Sequence, residues 1–229
     1  MSRVTYDAGN LTIEVDGLDT VAAALGDLKK KTPAAAKVAI NATARQARKL
    51  MIAKAKARYA VNAAGRRHLK DLVQRKKASN TSLSAELHIA KMRNDLGYFQ
   101  HRPTERFTGR EVLHHAPKYV KARVLKASSM AALTGNANMS KGFLVQFKSG
   151  HIGMVQRQIG SSHTVTERGH PRWRNKNGKV EKLVTMGSPS ASAMHSTVWP
   201  MVEPEVSEYL QDRLMEQTER VLARAARRK

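Results

Sequence analysis

Residues 34–59 read AAAKVAINATARQARKLMIAKAKARY, an uninterrupted run without Gly or Pro in which alanine fills ten positions. Alanine loses no side-chain entropy on entering a helix and is the strongest helix former, so the run predicts one long helix. Pro33, just ahead of it, suits a first turn, where its missing N–H costs nothing. At 100° per residue Ile40, Ala44, Ala47, Leu50 and Met51 share one face, the side expected to meet a core. Lys37, Arg45, Arg48, Lys49 and Lys56 gather on another. The charge here has one sign: Lys29–Lys77 holds sixteen Lys and Arg against a single acid, Asp71, in a chain of formal net charge +23. A solvated helix face normally carries Glu partners at i,i+4, and this one has none. Such charges repel one another, so two readings stand: a solvated face, or an anionic neighbour, either a nucleic-acid backbone or the acids of another chain. Asn62 is placed to cap a second, short helix through Val73, which brings Arg66, Arg67 and Lys70. Arg45, Arg48, Lys49, Lys56, Arg66 and Arg67 are therefore the candidate contacts to nucleic acid or to an acidic partner.

Outward from this helix the period changes. Leu11-Thr12-Ile13-Glu14-Val15 alternates as a half-buried strand does, Asp16-Gly17 turns the chain, and Leu18, Val21, Leu25 and Leu28 follow at helical spacing. Leu83, Ala85, Leu87 and Ile89 alternate strictly and predict a second strand. Residues 94–118 hold Pro103, Gly109 and Pro117 with no clear period and read as an excursion, after which Tyr119–Leu125 suits a strand. Phe143–Phe147 and Ile152–Gln156 flank Lys148-Ser149-Gly150-His151, a hairpin signal with Gly150 and Gly153 as the structural turn glycines. Residues 160–179 are polar and Gly-containing, a second excursion; Val180–Met186 suits a returning strand. A last helix is expected to open at Pro204, with Val206, Leu210, Leu214, Gln217 and Val221 on one stripe. The expected architecture is α+β: a small, mainly antiparallel sheet, a long basic N-terminal helix and an amphipathic C-terminal helix, in one domain over residues 1–229.

Composition narrows the function. Hydrophobic residues make up 41 % and aromatics 5 %, a thin core that predicts shared burial with other subunits. The first 28 residues carry five acids and one base, so head-to-tail contact with the basic body of another copy is expected. With no cysteine there is neither a disulfide nor a Cys-based zinc site. No run of eighteen apolar residues and no apolar leader occur, which predicts a soluble protein made in the cytoplasm with no membrane partner. His114 and His115 are adjacent, and His151, His163, His170 and His195 are scattered without a metal-binding spacing. Only six acids lie between residues 78 and 202, all single, so no catalytic residue, metal site or cofactor is expected.

Several segments in order resemble one family. Gly142–Arg157, GFLVQFKSGHIGMVQR, is similar to a hairpin segment of the phage minor tail protein Z family of tail-completion proteins. Ala39–Arg48, AINATARQAR, resembles that family's Asn-x-Thr-Ala helix, and Asp16-Gly17-Leu18 its opening. Ala60-Val61 ahead of a basic helix fits as well. Lys182-Leu183-Val184 through Gly187, Pro189 and Ser190 resembles its run before the final helix. The two excursions match no part of it. The resemblance implies a structural virion protein of the neck and tail of a long-tailed phage, made in the host cytoplasm. It implies completion of the head-proximal end of the tail, support of head–tail joining, and a homo-oligomeric ring around the DNA path, for which a hexamer is one candidate. Partners would be the tail terminator and tail tube, head–neck connector proteins, and genomic DNA in the lumen. The competing expectation is a free-standing, sequence-nonspecific nucleic-acid-binding protein. The aromatics are few and not interleaved with the bases, which disfavours base stacking.

Overall fold

Leu11 and Ile13 are fully buried in strand β2 (Asn10–Val15), as their alternation requires. The computed structural model describes residues 2–7, 9–15, 18–89, 95–108, 118–161 and 181–227 and has an α+β architecture. The described residues fall into two compact units, each drawn from separate stretches: 1–56, 67–92 and 190–229 in the first, 57–66 and 93–189 in the second.

In the first unit β2 is an inner strand of a four-stranded antiparallel sheet. Its order is β1 (Ser2–Asp7), β2, β4 (Ser84–Ile89), β3 (Leu72–Lys76). β1 has no counterpart in the sequence reading, because its alternation of Val4 and Tyr6 among polar residues is too short to stand out. Helix α1 (Asp19–Leu25) passes through a 3-10 segment, Gly26–Lys31, into α2 (Thr32–Arg58), the long helix expected. Twelve α2 residues are buried, including Ala36, Ala39, Ile40, Ala44, Ala47, Met51 and Ala55, while Leu50 is only half-buried. Helix α3 (Ala63–Lys70) begins as expected, with the Asn62 side-chain oxygen accepting from the Gly65 N–H at 3.1 Å. It stops at Lys70 rather than running through Val73. Leu72 is fully buried and pairs with Ile89, so the sheet claims this segment.

The final helix, α4 (Ala191–Ala226), corrects a second boundary: it starts thirteen residues before Pro204, which lies inside it together with Pro200. Ser190 caps it, its hydroxyl accepting from the Ala193 N–H at 3.1 Å, and the face with Met194, Val198 and Val202 is buried. Each internal proline removes one backbone donor, which this burial outweighs. α4 packs against β1: Tyr6 stacks on Trp199 with ring centroids 6.1 Å apart and donates its hydroxyl to the Ser192 carbonyl at 2.9 Å. Burial pushes the Tyr6 hydroxyl up to about 12.

The second unit holds two sheets rather than a share of a single one. Strands β11 (Lys182–Thr185), β10 (Ile152–Gln158) and β9 (Phe143–Gln146) are antiparallel, with β6 (Phe107–Thr108) parallel to β9 at the edge. Phe143, Val145 and Val155 form their core, with Phe107, Phe147 and Leu183 against it. The other sheet orders β5 (Gln100–Arg102), β7 (Lys121–Arg123) and β8 (Ala131–Ala132). The excursion expected over 94–118 is therefore structured where it is described. Residues 95–99 are buried, Leu96–Tyr98 form a 3-10 turn, and β5 and β6 follow. Their backbone groups find partners in distant strands, which no local period reveals. Residues 94 and 109–117 of this excursion, 162–179 of the second, Val180 of the expected returning strand and the expected turn at Asp16-Gly17 lie outside the described residues.

Candidate functional site

Of the six candidate cations, Arg45, Arg48, Lys49 and Lys56 sit on α2 and Arg67 on α3, all in the first unit; Arg66 belongs to the second. Lys56 is half-buried and the other five are exposed. Among the described residues no carboxylate pairs with any of them. Asp71, the one acid of the region, lies 3.7 Å from His68, and Glu86 lies 3.6 Å from Lys76. In the same unit β3 is an edge strand with exposed Arg75 and Lys76 and a bulge between Gln74 and Lys76. Edge charges and a bulge discourage a further strand from pairing there, so this edge offers positive charge rather than a ladder.

Arg48 differs from its neighbours. Its Nε donates to the Leu72 carbonyl at 2.6 Å and its Nη2 to the Lys70 carbonyl at 3.0 Å, which satisfies backbone acceptors just where α3 ends. Asn41 acts in the same way. It donates to the Ala78 carbonyl and accepts from the Ala78 N–H, both at 3.0 Å, and accepts from Gln74 Nε2 at 3.2 Å. Thr43 returns its hydroxyl to the Ala39 carbonyl at 3.0 Å. Asn41 and Arg48 of the Ala39–Arg48 motif thus fasten α2 to β3 and the segments flanking it, while the Thr43 bond stays within α2. Arg48 therefore has donors committed to the fold, whereas Arg45 and Lys49 on the same helix are exposed with no carboxylate beside them among the described residues.

Gly150 closes the β9–β10 hairpin at φ +77°, with the Gly150 N–H donating to the Phe147 carbonyl at 2.9 Å and the Phe147 N–H to the His151 carbonyl at 2.8 Å. Gly153 is not a turn residue. It stands within β10 opposite Val145, and a Cβ there would come within 2.8 Å of Asp95 Oδ2 and 2.7 Å of the Phe147 ring. Its lack of a side chain makes room for a group the sequence reading missed. The buried Asp95 carboxylate accepts from the Gly97 N–H at 2.7 Å, the Met154 N–H at 3.0 Å and His151 Nε2 at 2.6 Å. Phe147 stacks on the His151 ring with centroids 5.9 Å apart. The pair bridges 56 positions of sequence and ties the 3-10 turn at Leu96–Tyr98 to the hairpin. The Tyr98 hydroxyl lies 3.5 Å from the other ring nitrogen, Nδ1, so the imidazole is held from both sides as a clasp.

His195 is buried in α4, with Nε2 donating to the Leu69 carbonyl at 3.2 Å and Nδ1 without a partner. Burial lowers it to about 4, against the opposing pull of that hydrogen bond, so it stands neutral. Among the described residues no three His, Asp or Glu side chains gather to hold a metal ion, and no helix is long and apolar enough to cross a membrane. Comparison with models of protein families, with curated proteins and with solved structures gives no match for this chain.

Proposed function

We propose that this protein is a structural component of the neck and tail of a long-tailed phage, acting at the head-proximal end of the tail. Copies of the chain form a ring around the DNA path, positioned between tail proteins and the head–neck connector, and the finished protein resides in the virion. The observation that carries this reading is the exposed, carboxylate-free positive charge of Arg45 and Lys49, joined in the same unit by the basic edge of β3. Such a surface costs self-repulsion in an isolated subunit and regains it by counterion release against an anion. The resemblance of Ala39–Arg48 and Gly142–Arg157 to tail-completion proteins supplies the setting, and the hydrogen bonds of Asn41 and Arg48 give those motif residues work in the fold.

Light scattering on the purified chain tests the assembly, and a ring or a concentration-dependent oligomer is the expected result. A second arm reverses charge at Arg45→Glu and Lys49→Glu together, sparing Arg48 because of its role at the end of α3. The variant should keep its circular dichroism and melting temperature yet fail to support infectious particles. A strict monomer that binds duplex DNA with a steep salt dependence would replace this reading with that of a free nucleic-acid-binding protein. Full infectivity of the reversal variant would remove the contact surface from it.

A further inference from the structure

Within the second unit a cavity of about 660 Å³ opens beside β5 and β7. Its polar wall consists of Asn62, Gln100, His101, Arg102, Thr104 and Arg123. Three of these six can carry positive charge, and no carboxylate lines the cavity among the described residues. The acid next to Thr104 in sequence, Glu105, is engaged by Lys118.

The way Arg123 is held is the informative feature. Its Nε and Nη2 both donate to Gln100 Oε1, at 2.9 and 2.7 Å, and Nη1 donates to the Lys126 carbonyl at 3.3 Å. An arginine kept for structure alone is commonly paired with a carboxylate, which fixes its plane and cancels its charge. Here every acceptor is neutral. The guanidinium is oriented while its charge stays available, as preorganised anion sites require. The other side chains are arranged to the same effect. Asn62 spends its amide N–H groups on the Gly97 and Phe99 carbonyls, at 2.6 and 3.4 Å, and so braces the wall. His101 Nδ1 donates to the Phe99 carbonyl at 2.8 Å, which presents Nε2 as the ring's other polar atom. Arg102 is exposed beside them on β5, its backbone paired with Lys121. The volume lies in the range of sites that take nucleotide-sized ligands.

We infer that this cavity binds a phosphate group, either the terminal phosphate of a nucleotide or a phosphodiester of a nucleic-acid strand, with Arg123 and Arg102 as the charged contacts. The inference stands on the cavity's own lining and does not depend on the virion reading.

Calorimetric titration of the full chain with inorganic pyrophosphate, thymidine 5′-monophosphate and a twelve-residue oligothymidylate tests it. One-to-one binding of pyrophosphate is expected, lost by tenfold or more in Gln100→Glu, where a carboxylate cancels the Arg123 charge in place. Arg123→Gln should weaken it similarly. If Arg123→Gln perturbs folding, Gln100→Glu still decides, because it retains the arginine and its hydrogen bonds. The Arg45→Glu, Lys49→Glu variant should bind pyrophosphate as the wild type does, which keeps this test apart from that of the surface in the first unit. Competition by the mononucleotide identifies a terminal phosphate as the natural group; competition by the oligonucleotide alone identifies a phosphodiester. The inference is overturned if none of the three probes binds, or if binding is unchanged in Gln100→Glu.

Discussion

Lowering the pH from 7.5 to 4 should unfold this protein partly through one residue, His195. The buried imidazole stays neutral in the folded state down to about pH 4, whereas in the unfolded chain it takes up a proton near its ordinary 6.5. Stability contributed by the neutral ring is therefore fully present above pH 6.5 and is lost as pH falls through the interval to about 4. At about 1.4 kcal/mol per pH unit the complete loss is about 3 kcal/mol, of which roughly 1 kcal/mol is gone at pH 5.5. Geometry gives the cause: Nδ1 is buried without a partner, so the incoming proton has no acceptor facing it. Urea titrations followed by far-ultraviolet circular dichroism at pH 7.5, 6.5, 5.5 and 4.5 measure this, at one protein concentration throughout. The companion variant is His195→Gln, whose amide can still donate to the Leu69 carbonyl but does not titrate. Carboxylates contribute equally to both proteins, so the difference between the two pH profiles isolates the histidine. The wild type should lose about 2 to 3 kcal/mol relative to the variant between pH 7.5 and 4.5. Parallel profiles would refute the reasoning, because a histidine titrating normally in the folded state contributes no such slope.

Two further outcomes follow from the second unit. Gly150→Val should destabilise by about 1 to 2 kcal/mol and lower the melting temperature by several degrees, through conformation alone, since nothing lies within 4 Å of the added Cβ. Gly150→Asn, which tolerates a positive φ, should lose less, and equal losses in the two would count against the turn. Asp95→Ala leaves the buried Gly97 and Met154 N–H groups without an acceptor and should cost about 3 kcal/mol in urea unfolding. Asp95→Asn, which can keep those acceptors through its amide oxygen, should fall between the variant and the wild type.

The long α2 helix, β2, β4 and the β9–β10 hairpin with Gly150 in its turn could be read from residues 11–15, 34–59, 83–89 and 143–156 alone. In each, the deciding property is local: alanine content, a period of 3.6 or 2, or a glycine between two apolar runs. Where a boundary depended on distant contacts, local signals gave way. Val73 follows Leu72 into the sheet because Ile89 lies beside it, and α4 begins at Ala191 because Ser190 caps it, although Pro204 carries the stronger local start signal. The positive charge of Lys29–Lys77 was equally legible as an amount, since charge adds along a chain without regard to its path. Which cations remain free was not. Arg45 and Arg48 belong to the same basic side of the helical wheel, yet Arg48 spends its donors on carbonyls more than twenty residues away. Asp95 with His151, Gln100 with Arg123, and His195 with Leu69 likewise owe their properties to neighbours brought from far along the chain. Propensity and periodicity belong to the chain itself. Burial, hydrogen-bond partners and the field at a charged group belong to whatever the fold sets beside it, and that juxtaposition exists only once the tertiary structure has formed.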